Sequence, residues 1–284
     1  MQFFWFLLAI VAMTVPHALA YNLVLGKGKI LHFGPLGSSV VCAYAYFVTL
    51  QFSGSYPLAI LAGVVGALCI GTFFAWLSFR LDGDALGILS LSSHLALLTV
   101  ALNWTSVTSG TLGITAVPWP PFVTTTVQFA LLATIVAACW IVFCRWIDRS
   151  ALGRMLSALA EHPWHARSLG VHRKRVHYVV FLIASFGSLT TVVLYHHFIH
   201  LLHPTDLGFQ GLIMYLMIIV AGRPGSVFGV TLSTVGILVL QESIRFLQLD
   251  PAMMGSARLI LFGVILLAAV RWRRDVLFPP QRAV

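Results

Sequence analysis

Nine apolar runs, separated by short polar connections, constrain the fold of this 284-residue chain more than any other feature. A helix that crosses the hydrocarbon core of a bilayer needs about 20 mostly apolar residues. The runs are Phe3–Leu25, Pro35–Phe52, Tyr56–Phe79, Ala85–Asn103, Phe122–Cys144, Val176–Ile199, Phe209–Gly222, Val227–Gln241 and Ala257–Val270. Phe209–Gly222 and Val227–Gln241 are short, which indicates tilted spans or half-helices with ends buried in protein. The sequence therefore predicts an all-α polytopic membrane protein of about nine transmembrane helices, some short or broken.

Charged side chains avoid the centres of these runs. They make up 9% of the chain, whereas a soluble domain carries about 25%, so this chain cannot build a water-facing surface. None of the eight acids lies in the middle of a long run, which fits a cost of about 2.5–3.5 kcal/mol for a charge at a helix centre. A proton-driven carrier or a carboxylate-based membrane enzyme usually keeps an acid at membrane depth, so this distribution argues against both.

Lysines and arginines predict the orientation of the chain. If the N-terminus lies outside and the chain crosses nine times, every Lys and Arg except Arg245 and Arg258 faces the cytoplasm. The opposite orientation reverses this distribution, so the positive-inside rule places the N-terminus outside and the C-terminus in the cytoplasm. Because the same rule accounts for the net charge of +9, we expect membrane lipid and no nucleic acid as a partner.

The first run ends in Ala18-Leu19-Ala20, which is typical of a signal-peptide cleavage site. No lysine or arginine precedes Lys27, however, and the apolar stretch continues to Leu25. A cleaved signal peptide needs a positively charged n-region. We therefore expect this segment to be retained as a span within one transmembrane domain that covers residues 1–284.

The longest polar stretch, at about residues 145–177, carries two short helical patterns on the predicted cytoplasmic side. The first places four apolar residues on one helical face, namely Met155, Leu156, Leu159 and Ala160. Pro163 opens a second helix, and Gly170 ends it. Such helices indicate either docking sites for a cytoplasmic partner or amphipathic segments held on anionic lipid. The other long connection, Asn103–Pro121, is predicted outside.

Glycine and proline interrupt the apolar pattern at two places. Ala221–Gly229 joins two short runs, and its Gly225 and Gly229 form a small-xxx-small face. Interrupted short helices indicate a transport pathway. Tight packing between helices is the alternative explanation of the same residues. Asn22–Gly34 is a basic, glycine-bearing turn whose Gly-x-Gly is not a phosphate loop, because no strand precedes it.

Histidines suggest two further hypotheses. His196, His200 and His203 recur at helical spacing beside Asp206. This pattern is consistent with a transition-metal site, and also with histidines that lie at the membrane interface. The sequence has no second cluster of ligands, so we expect no metal. His94 lies inside the fourth run, where it either lines a pathway or makes a hydrogen bond between helices.

The segment Asn103–Ile114 reads Asn-Trp-Thr-Ser-Val-Thr-Ser-Gly-Thr-Leu-Gly-Ile, and it is nearly identical to a family pattern, Asn-Trp-Thr-x-x-Thr-Gly-Gly-x-x-Gly-Ile. Further segments match other blocks of that family in the same order, namely Ala18–Gly34, Phe79–Asp84, Ala158–Gly170, Gly222–Gly229 and Glu242–Leu247. Over roughly residues 16–280, the chain resembles the M-type permease of branched-chain amino acid ABC importers. That family also includes urea and amide permeases.

The resemblance implies a permease subunit of an ATP-driven importer for a small polar solute. Branched-chain amino acids are the default, and urea, amides or another small organic solute are alternatives. It also implies a homologous second permease, two cytoplasmic ATPase subunits that carry ATP and Mg, a periplasmic or lipid-anchored substrate-binding protein, and the bacterial inner membrane. The permease itself would bind no cofactor and catalyse no reaction. A stand-alone secondary carrier is the alternative from a different class.

The resemblance also selects two sets of site residues. The ATPase-coupling loop is expected to use Leu156, Leu159, Ala160, Glu161, Ala166, Arg167, Leu169 and Gly170. The expected pathway or hinge residues are Asn22, Gly26, Gly34, His94, Gly222, Gly225 and Gly229. The chain departs from the family at His94 and Met214, where an acid is common, and at Arg223, where a glycine is common. We also expect the leader of many M-type subunits to be short or absent.

Overall fold

The computed structural model of the protein describes residues 2–81 and 83–243, and positions 260, 263–265, 267, 268 and 271. Its helices are α1 (Gln2–Tyr21), α2 (Pro35–Ser53), α3 (Tyr56–Arg80), α4 (Gly83–Asn103), α5 (Thr105–Thr108), α6 (Thr126–Arg149), α7 (Ala151–Glu161), α8 (Pro163–Ser168), α9 (Arg173–Ile199), α10 (Phe209–Ala221) and α11 (Val227–Ser243). A π-helical turn, Asn22–Lys27, continues α1, and 3₁₀ turns cover Gly110–Leu112 and Pro204–Leu207. Two short strands, β1 (Ile114–Thr115) and β2 (Leu201–Leu202), pair antiparallel.

These helices confirm the predicted all-α architecture for the described part of the chain. Seven helical segments are long and apolar enough to cross a bilayer. They are Gln2–Lys27, Pro35–Ser53, Tyr56–Arg80, Gly83–Asn103, Thr126–Arg149, Arg173–Ile199 and Pro204–Ala221. α11 is a shorter apolar helix, as its run predicted. The ninth predicted run, Ala257–Val270, lies largely outside the described residues, as do Arg245, Arg258 and most of the segment Glu242–Leu247.

Three boundaries of α6 and α9 differ from the limits of the apolar runs. α6 begins at Thr126 and not at Phe122, because Thr125 caps it by accepting a hydrogen bond from the Gln128 N–H (3.2 Å). It ends at Arg149, beyond the predicted Cys144, and α9 begins at Arg173, before the predicted Val176. An apolar run marks the part of a helix inside the hydrocarbon, whereas the helix itself continues into polar sequence.

α1 is the central helix of the bundle. Nearly every residue from Ala9 to Tyr21 is buried, and α1 packs against α6, α9 and α11. A Cβ atom added at Gly187 of α9 would collide with Ala20 and lie 2.9 Å from the Pro16 carbonyl oxygen. Apolar side chains gain little when they move from lipid into a contact between helices, because both environments are apolar. Helices in lipid therefore associate through close packing of small residues. Gly187 therefore sets the distance between α1 and α9.

A hydroxyl of α9 repairs the break that Pro16 makes in α1. Proline has no N–H and its ring displaces the preceding turn, which frees backbone groups of the helix. The Thr191 hydroxyl accepts a hydrogen bond from the His17 N–H (3.1 Å) and donates one to the Met13 carbonyl oxygen (2.8 Å). An unpaired peptide group is costly inside a bilayer. Thr191 therefore makes Pro16 tolerable in a buried span.

The connection between α1 and α2 runs inside the protein. Residues 28–34 are non-helical, and most of them are buried. The Tyr21 hydroxyl donates to the His32 carbonyl oxygen (2.6 Å), and the Phe33 N–H donates to the Ser90 hydroxyl (2.9 Å). Irregular backbone is tolerated at membrane depth only where protein satisfies its polar groups. The predicted basic turn is thus a π-helical turn followed by a buried extended segment.

Contacts between helices gather the polar segments at two ends of the bundle. Lys27 forms an ion pair with Asp148, and Arg173 donates a hydrogen bond to the Ser78 carbonyl oxygen (3.0 Å). We call this the basic end, formed by residues 22–29, 78–81, 145–175 and 221–227. The opposite end is formed by residues 2–6, 53–56, 103–125 and 199–209.

Candidate functional site

Two short helices join α6 to α9 at the basic end, as the sequence predicted. Ser150 caps α7 by accepting a hydrogen bond from the Gly153 N–H (3.4 Å). Pro163 lies in the first turn of α8, where its missing N–H costs nothing. Gly170 follows α8 with φ of +83°, a left-handed conformation that favours glycine. The loop between α6 and α9 is therefore a folded unit.

The predicted coupling residues divide into an anchored set and an exposed set. Leu156, Leu159 and Ala166 are buried, and a Cβ atom at Gly28 would lie 3.1 Å from Leu156 Cδ1. Ala160 is half-buried. The exposed residues are Glu161, Arg167, Leu169 and Gly170. The anchored residues fasten the helices to the bundle, so only the exposed set is available to a partner.

Two large apolar side chains dominate the exposed surface of this loop. Trp164 is 78% exposed and Leu169 is 84% exposed. The Arg167 guanidinium carbon lies 5.6 Å from the centroid of the Trp164 ring, within the range of a cation–π contact. We name Trp164, Arg167 and Leu169 the loop surface. An exposed apolar patch next to basic residues is typical of a docking surface or of a lipid contact.

Five of the predicted hinge residues form two neighbouring contacts at the basic end. The Asn22 side-chain oxygen accepts a hydrogen bond from the Gly225 N–H (2.8 Å). A Cβ atom at Gly26 would collide with that Asn22 oxygen and lie 2.5 Å from Gly225 N. Across the turn between α10 and α11, a Cβ atom at Gly229 would collide with the Gly222 carbonyl oxygen. We call these five residues the glycine joint.

Gly34 and His94 lie apart from the glycine joint. A Cβ atom at Gly34 would lie 2.7 Å from the Phe74 ring and 2.8 Å from the Ser90 carbonyl oxygen. His94 is fully buried beside Gly37 of α2. Neither of its ring nitrogens has a hydrogen-bond partner among the described residues, so the predicted bond between helices is not formed there. Both residues occupy the contact of α2 with α4.

Histidines fasten the loops of the opposite end to α9. The imidazoles of His197 and His200 bond through Nδ1 to the carbonyl oxygens of Pro118 (2.5 Å) and Val117 (2.7 Å). His196 bonds to the Leu201 carbonyl oxygen (2.9 Å) in the same way. His203 contacts the Thr205 hydroxyl (2.6 Å). Each predicted metal ligand thus holds backbone or a hydroxyl, and within the described ranges no group of three His, Cys, Asp or Glu residues is placed to bind a metal.

A cavity of about 390 Å³ lies between α1, α2, α9, α10 and α11, in the half of the bundle nearer the opposite end. Pockets that bind small molecules span about 300–1,000 Å³. Asp206, Gln210 and Glu242 supply polar groups to its wall, and Ile10, Leu36, Val192, Leu207, Met214 and Leu238 supply apolar ones. The sequence placed Asp206 beside the histidines and Met214 at a family departure, but it did not predict that these residues share a cavity, because the lining comes from five helices and the 3₁₀ turn Pro204–Leu207.

Comparison with known proteins identifies the family. A sequence model of the family described as "Branched-chain amino acid transport system / permease component" matches residues 3–270. The chain belongs to this family. It is 26% identical to the high-affinity branched-chain amino acid transport system permease protein LivM of Salmonella typhimurium, over 93% of this chain and 67% of that protein. It is 24% identical to the LivM protein of Escherichia coli over the same shares. No solved structure matches the chain significantly.

Family membership confirms the predicted multi-pass membrane permease. The best-matching segment of the predicted resemblance, Asn103–Ile114, forms α5 and the 3₁₀ turn of the opposite end. The Thr108 hydroxyl donates to the carbonyl oxygens of Ala101 (2.6 Å) and Trp104 (2.7 Å), which folds this segment back on α4. A Cβ atom at Gly113 would collide with the Leu202 carbonyl oxygen of β2. In this permease the segment therefore closes the opposite end of the bundle.

Sequence reasoning missed three groups that shape this permease. Thr191 bridges the Pro16 break, and His197 also contacts the Tyr46 hydroxyl through Nε2 (3.0 Å). The signals for the first were a proline within one apolar run and a hydroxyl within another, although nothing in the sequence pairs them. The third group is the cavity around Asp206, whose lining no local pattern indicates.

Proposed function

We propose that this permease imports branched-chain amino acids as one subunit of an ATP-driven complex. A homologous permease, two ATPase subunits and a substrate-binding protein complete that complex, and ATP with Mg binds on the ATPases. The family description and the names of the two LivM relatives support this solute class. The chain itself then supplies the pathway and catalyses no reaction.

The loop surface is the observation that supports a cytoplasmic ATPase partner. Trp164 and Leu169 are almost fully exposed although anchored helices hold them in place, and apolar anchors of this kind are enriched in protein interfaces. Buried Leu156 and Leu159 join α7 to the bundle, and α8, with its buried Ala166, packs against α7. A force applied to the loop surface therefore acts on a folded unit and not on a flexible linker.

The orientation follows from charge. Lys27, Arg80, Arg154, Arg173 and Arg223 all belong to the basic end. The positive-inside rule favours placing such an end in the cytoplasm. The N-terminus and the segment Asn103–Ile114 then face the outside, where a substrate-binding protein would deliver solute. The C-terminus lies outside the described residues, and its predicted cytoplasmic location stays a prediction.

Copurification tests this function. The double variant Trp164→Asp/Leu169→Asp, expressed with the other subunits, should lose most of the ATPase subunits from the purified complex and lose solute-stimulated ATP hydrolysis. Desolvating a new carboxylate at an interface is expensive, which is the reason for the loss. Leu112→Asp is the matched control, because Leu112 is 79% exposed at the opposite end. It should retain the ATPase subunits.

Normal recovery of ATPase subunits with the double variant would exclude the loop surface as their docking site. Reduced binding of the double variant to anionic vesicles, with the complex intact, would instead assign the loop to lipid. The solute class has its own test, which is uptake of radiolabelled leucine, isoleucine and valine by the reconstituted wild-type complex. Absence of uptake in the presence of ATP would refute the import of branched-chain amino acids.

A further inference from the structure

The cavity between α1, α2, α9, α10 and α11 has a polar and an apolar part. Its acids and amides lie nearest the opposite end: Asp206 comes from the 3₁₀ turn before α10, Gln210 from the start of α10, and Gln241 and Glu242 from the end of α11. Met214 and Leu238 lie one turn further into the bundle, and Ile10 and Leu36 come from α1 and α2. A ligand with one charged end and one aliphatic end fits this division.

Two acids are among the residues that line the cavity. Asp206 and Glu242 both face the cavity, and within the described part of the chain neither lysine nor arginine is among the lining residues. His203 is the basic side chain that interacts electrostatically with Asp206, and His196 lines the cavity with its Nδ1 bonded to the Leu201 carbonyl oxygen. Such a lining attracts a cationic group and repels a lone carboxylate.

Buried polar atoms around the cavity support a polar ligand. The Gln241 side-chain oxygen lines the cavity and has no hydrogen-bond partner among the described residues. The Tyr44 hydroxyl is also buried without such a partner, and it interacts electrostatically with Asp206. A buried polar group without a partner costs free energy unless a ligand or water satisfies it. These atoms therefore indicate that something polar occupies the cavity.

A third such atom lies behind the cavity wall. His17 Nε2 is buried and unpaired within the described residues, while its Nδ1 contacts the Ser39 hydroxyl (3.3 Å). The His17 ring stacks on Tyr215 with centroids 4.2 Å apart. Ser39 and Tyr215 both line the cavity. The polar wall is thus supported by a second layer of side chains, which is the arrangement of a built site.

We propose that this cavity is a solute site within the permease itself, where Asp206 binds the ammonium group of an α-amino acid. The side-chain amide of Gln210 supplies hydrogen-bond donors for its carboxylate. Met214 and Leu238 contact its aliphatic side chain. The site thereby selects zwitterionic amino acids over urea and over acids that lack an ammonium group. This inference rests on the proposed function, because it assumes that α-amino acids are the transported solutes.

Uptake measured beside ATP hydrolysis in proteoliposomes tests the site. In the reconstituted complete complex, Asp206→Asn should lower leucine uptake about tenfold or more, the loss expected when a charge-assisted hydrogen bond is removed. ATP hydrolysis stimulated by the solute-loaded binding protein should persist, so that solute moved per ATP falls. Asp84→Asn is the matched control, because Asp84 is exposed at the start of α4, away from the cavity. It should leave both rates unchanged.

A second variant tests the apolar part independently. Met214→Phe adds volume to the cavity wall and should lower uptake of leucine more than uptake of alanine. The cavity is refuted as a solute site if Asp206→Asn takes up leucine at the wild-type rate. It is also refuted if Met214→Phe leaves the ratio of leucine uptake to alanine uptake unaltered. Either result leaves the proposed function intact. If the wild-type complex transports no α-amino acid, the proposed function and this site fail together. If Asp206→Asn does not assemble, the Met214→Phe ratio decides alone.

Discussion

The two ends of the bundle are held together by different kinds of contact. At the basic end, two backbone segments come close together at the glycine joint. A Cβ atom added at Gly26 would overlap the Asn22 side-chain oxygen and lie 2.5 Å from Gly225 N. At the opposite end, side chains bond to carbonyl oxygens, as His197 does to Pro118 (2.5 Å) and Tyr56 does to Trp119 (3.0 Å). The glycine joint thus depends on the missing side chains of its glycines, together with the Asn22 hydrogen bond, whereas the contacts at the opposite end depend on hydrogen bonds from side chains.

This difference predicts how each end responds to change. Contact between backbones has no rotatable group that can adjust, so any added atom forces the helices apart. Hydrogen bonds from side chains can lose a partner while the packing around them remains. We therefore expect substitutions at the glycine joint to cost most, substitutions of bridging side chains to cost less, and changes of exposed charge to cost least.

The largest effect is expected for Gly26→Ala. The new Cβ atom would lie 2.5 Å from Gly225 N, so α1 and the turn between α10 and α11 must separate. Overpacking of this kind costs about 1–3 kcal/mol and occasionally more, and contact with backbone places this variant at the upper end. Denaturation of the purified protein in detergent, together with uptake by the reconstituted complex, measures the loss.

Gly236→Ala provides the matched control for this prediction. Gly236 lies within α11, and among the residues that the structure describes a Cβ atom there would meet nothing within 4 Å. Replacing a helical glycine that has free space by alanine stabilises by roughly 0.5–1 kcal/mol. If Gly26→Ala were as stable as Gly236→Ala, the close contact at the basic end would not be a feature of the protein.

An intermediate effect is expected for Thr191→Val, which keeps the shape of the side chain and removes the hydroxyl. The His17 N–H and the Met13 carbonyl oxygen then lose the bridge across the Pro16 break. Leaving buried polar groups unsatisfied costs about 1–3 kcal/mol, and hydrogen bonds between membrane helices fall toward the low end of that range. The midpoint of thermal unfolding in detergent should fall accordingly.

Thr190→Val distinguishes the bridge from a general effect of losing a hydroxyl. The Thr190 hydroxyl donates to the Phe186 carbonyl oxygen of its own helix (2.8 Å), which remains bonded along the helix without it. Its unfolding midpoint should stay near that of the wild type. Equal losses in both variants would show that Thr191 does not specifically repair α1.

The smallest effect is expected for Asp148→Asn. Asp148 forms an ion pair with Lys27, but its side chain is 42% exposed. Lys27 also donates to the Asp148 backbone carbonyl oxygen (3.2 Å), a bond that asparagine leaves in place. Exposed ion pairs contribute about 0–1 kcal/mol. The unfolding midpoint should therefore shift little, and a loss as large as that of Gly26→Ala would mean that charge, rather than glycine, holds the basic end.

Local patterns predicted the elements but not all of their limits. The two short helices between α6 and α9 followed from Pro163, Gly170 and an apolar face, all of which act within one turn of helix. The limits of α6 were missed because the Thr125 cap starts the helix at Thr126, four residues after the apolar run begins, and the helix continues to Arg149, beyond the end of the run. Hydropathy reports the depth of a residue in the bilayer, and helical hydrogen bonds continue past that depth.

The candidate site was predicted in part for the same reason. Asn22, Gly26 and Gly225 were selected from the family resemblance, and Gly225 also from the glycines that interrupt the apolar runs; the structure brings all three together. The exposed and buried members of the coupling loop could not be separated in advance. Ala166 is buried and Leu169 is 84% exposed, because the surface against which α8 packs belongs to other parts of the chain.

The sequence alone determined that this chain crosses a bilayer many times, and where its basic end lies along the chain. Both properties depend on the free energy of transferring single side chains between water and lipid. Each residue contributes to that free energy independently of its neighbours. Only the tertiary structure decided that Thr191 bridges α1, and that Asp206 and Glu242 face one cavity. A helical repeat shows which residues share a face, but not which other face they meet. That choice depends on packing among all the helices at once.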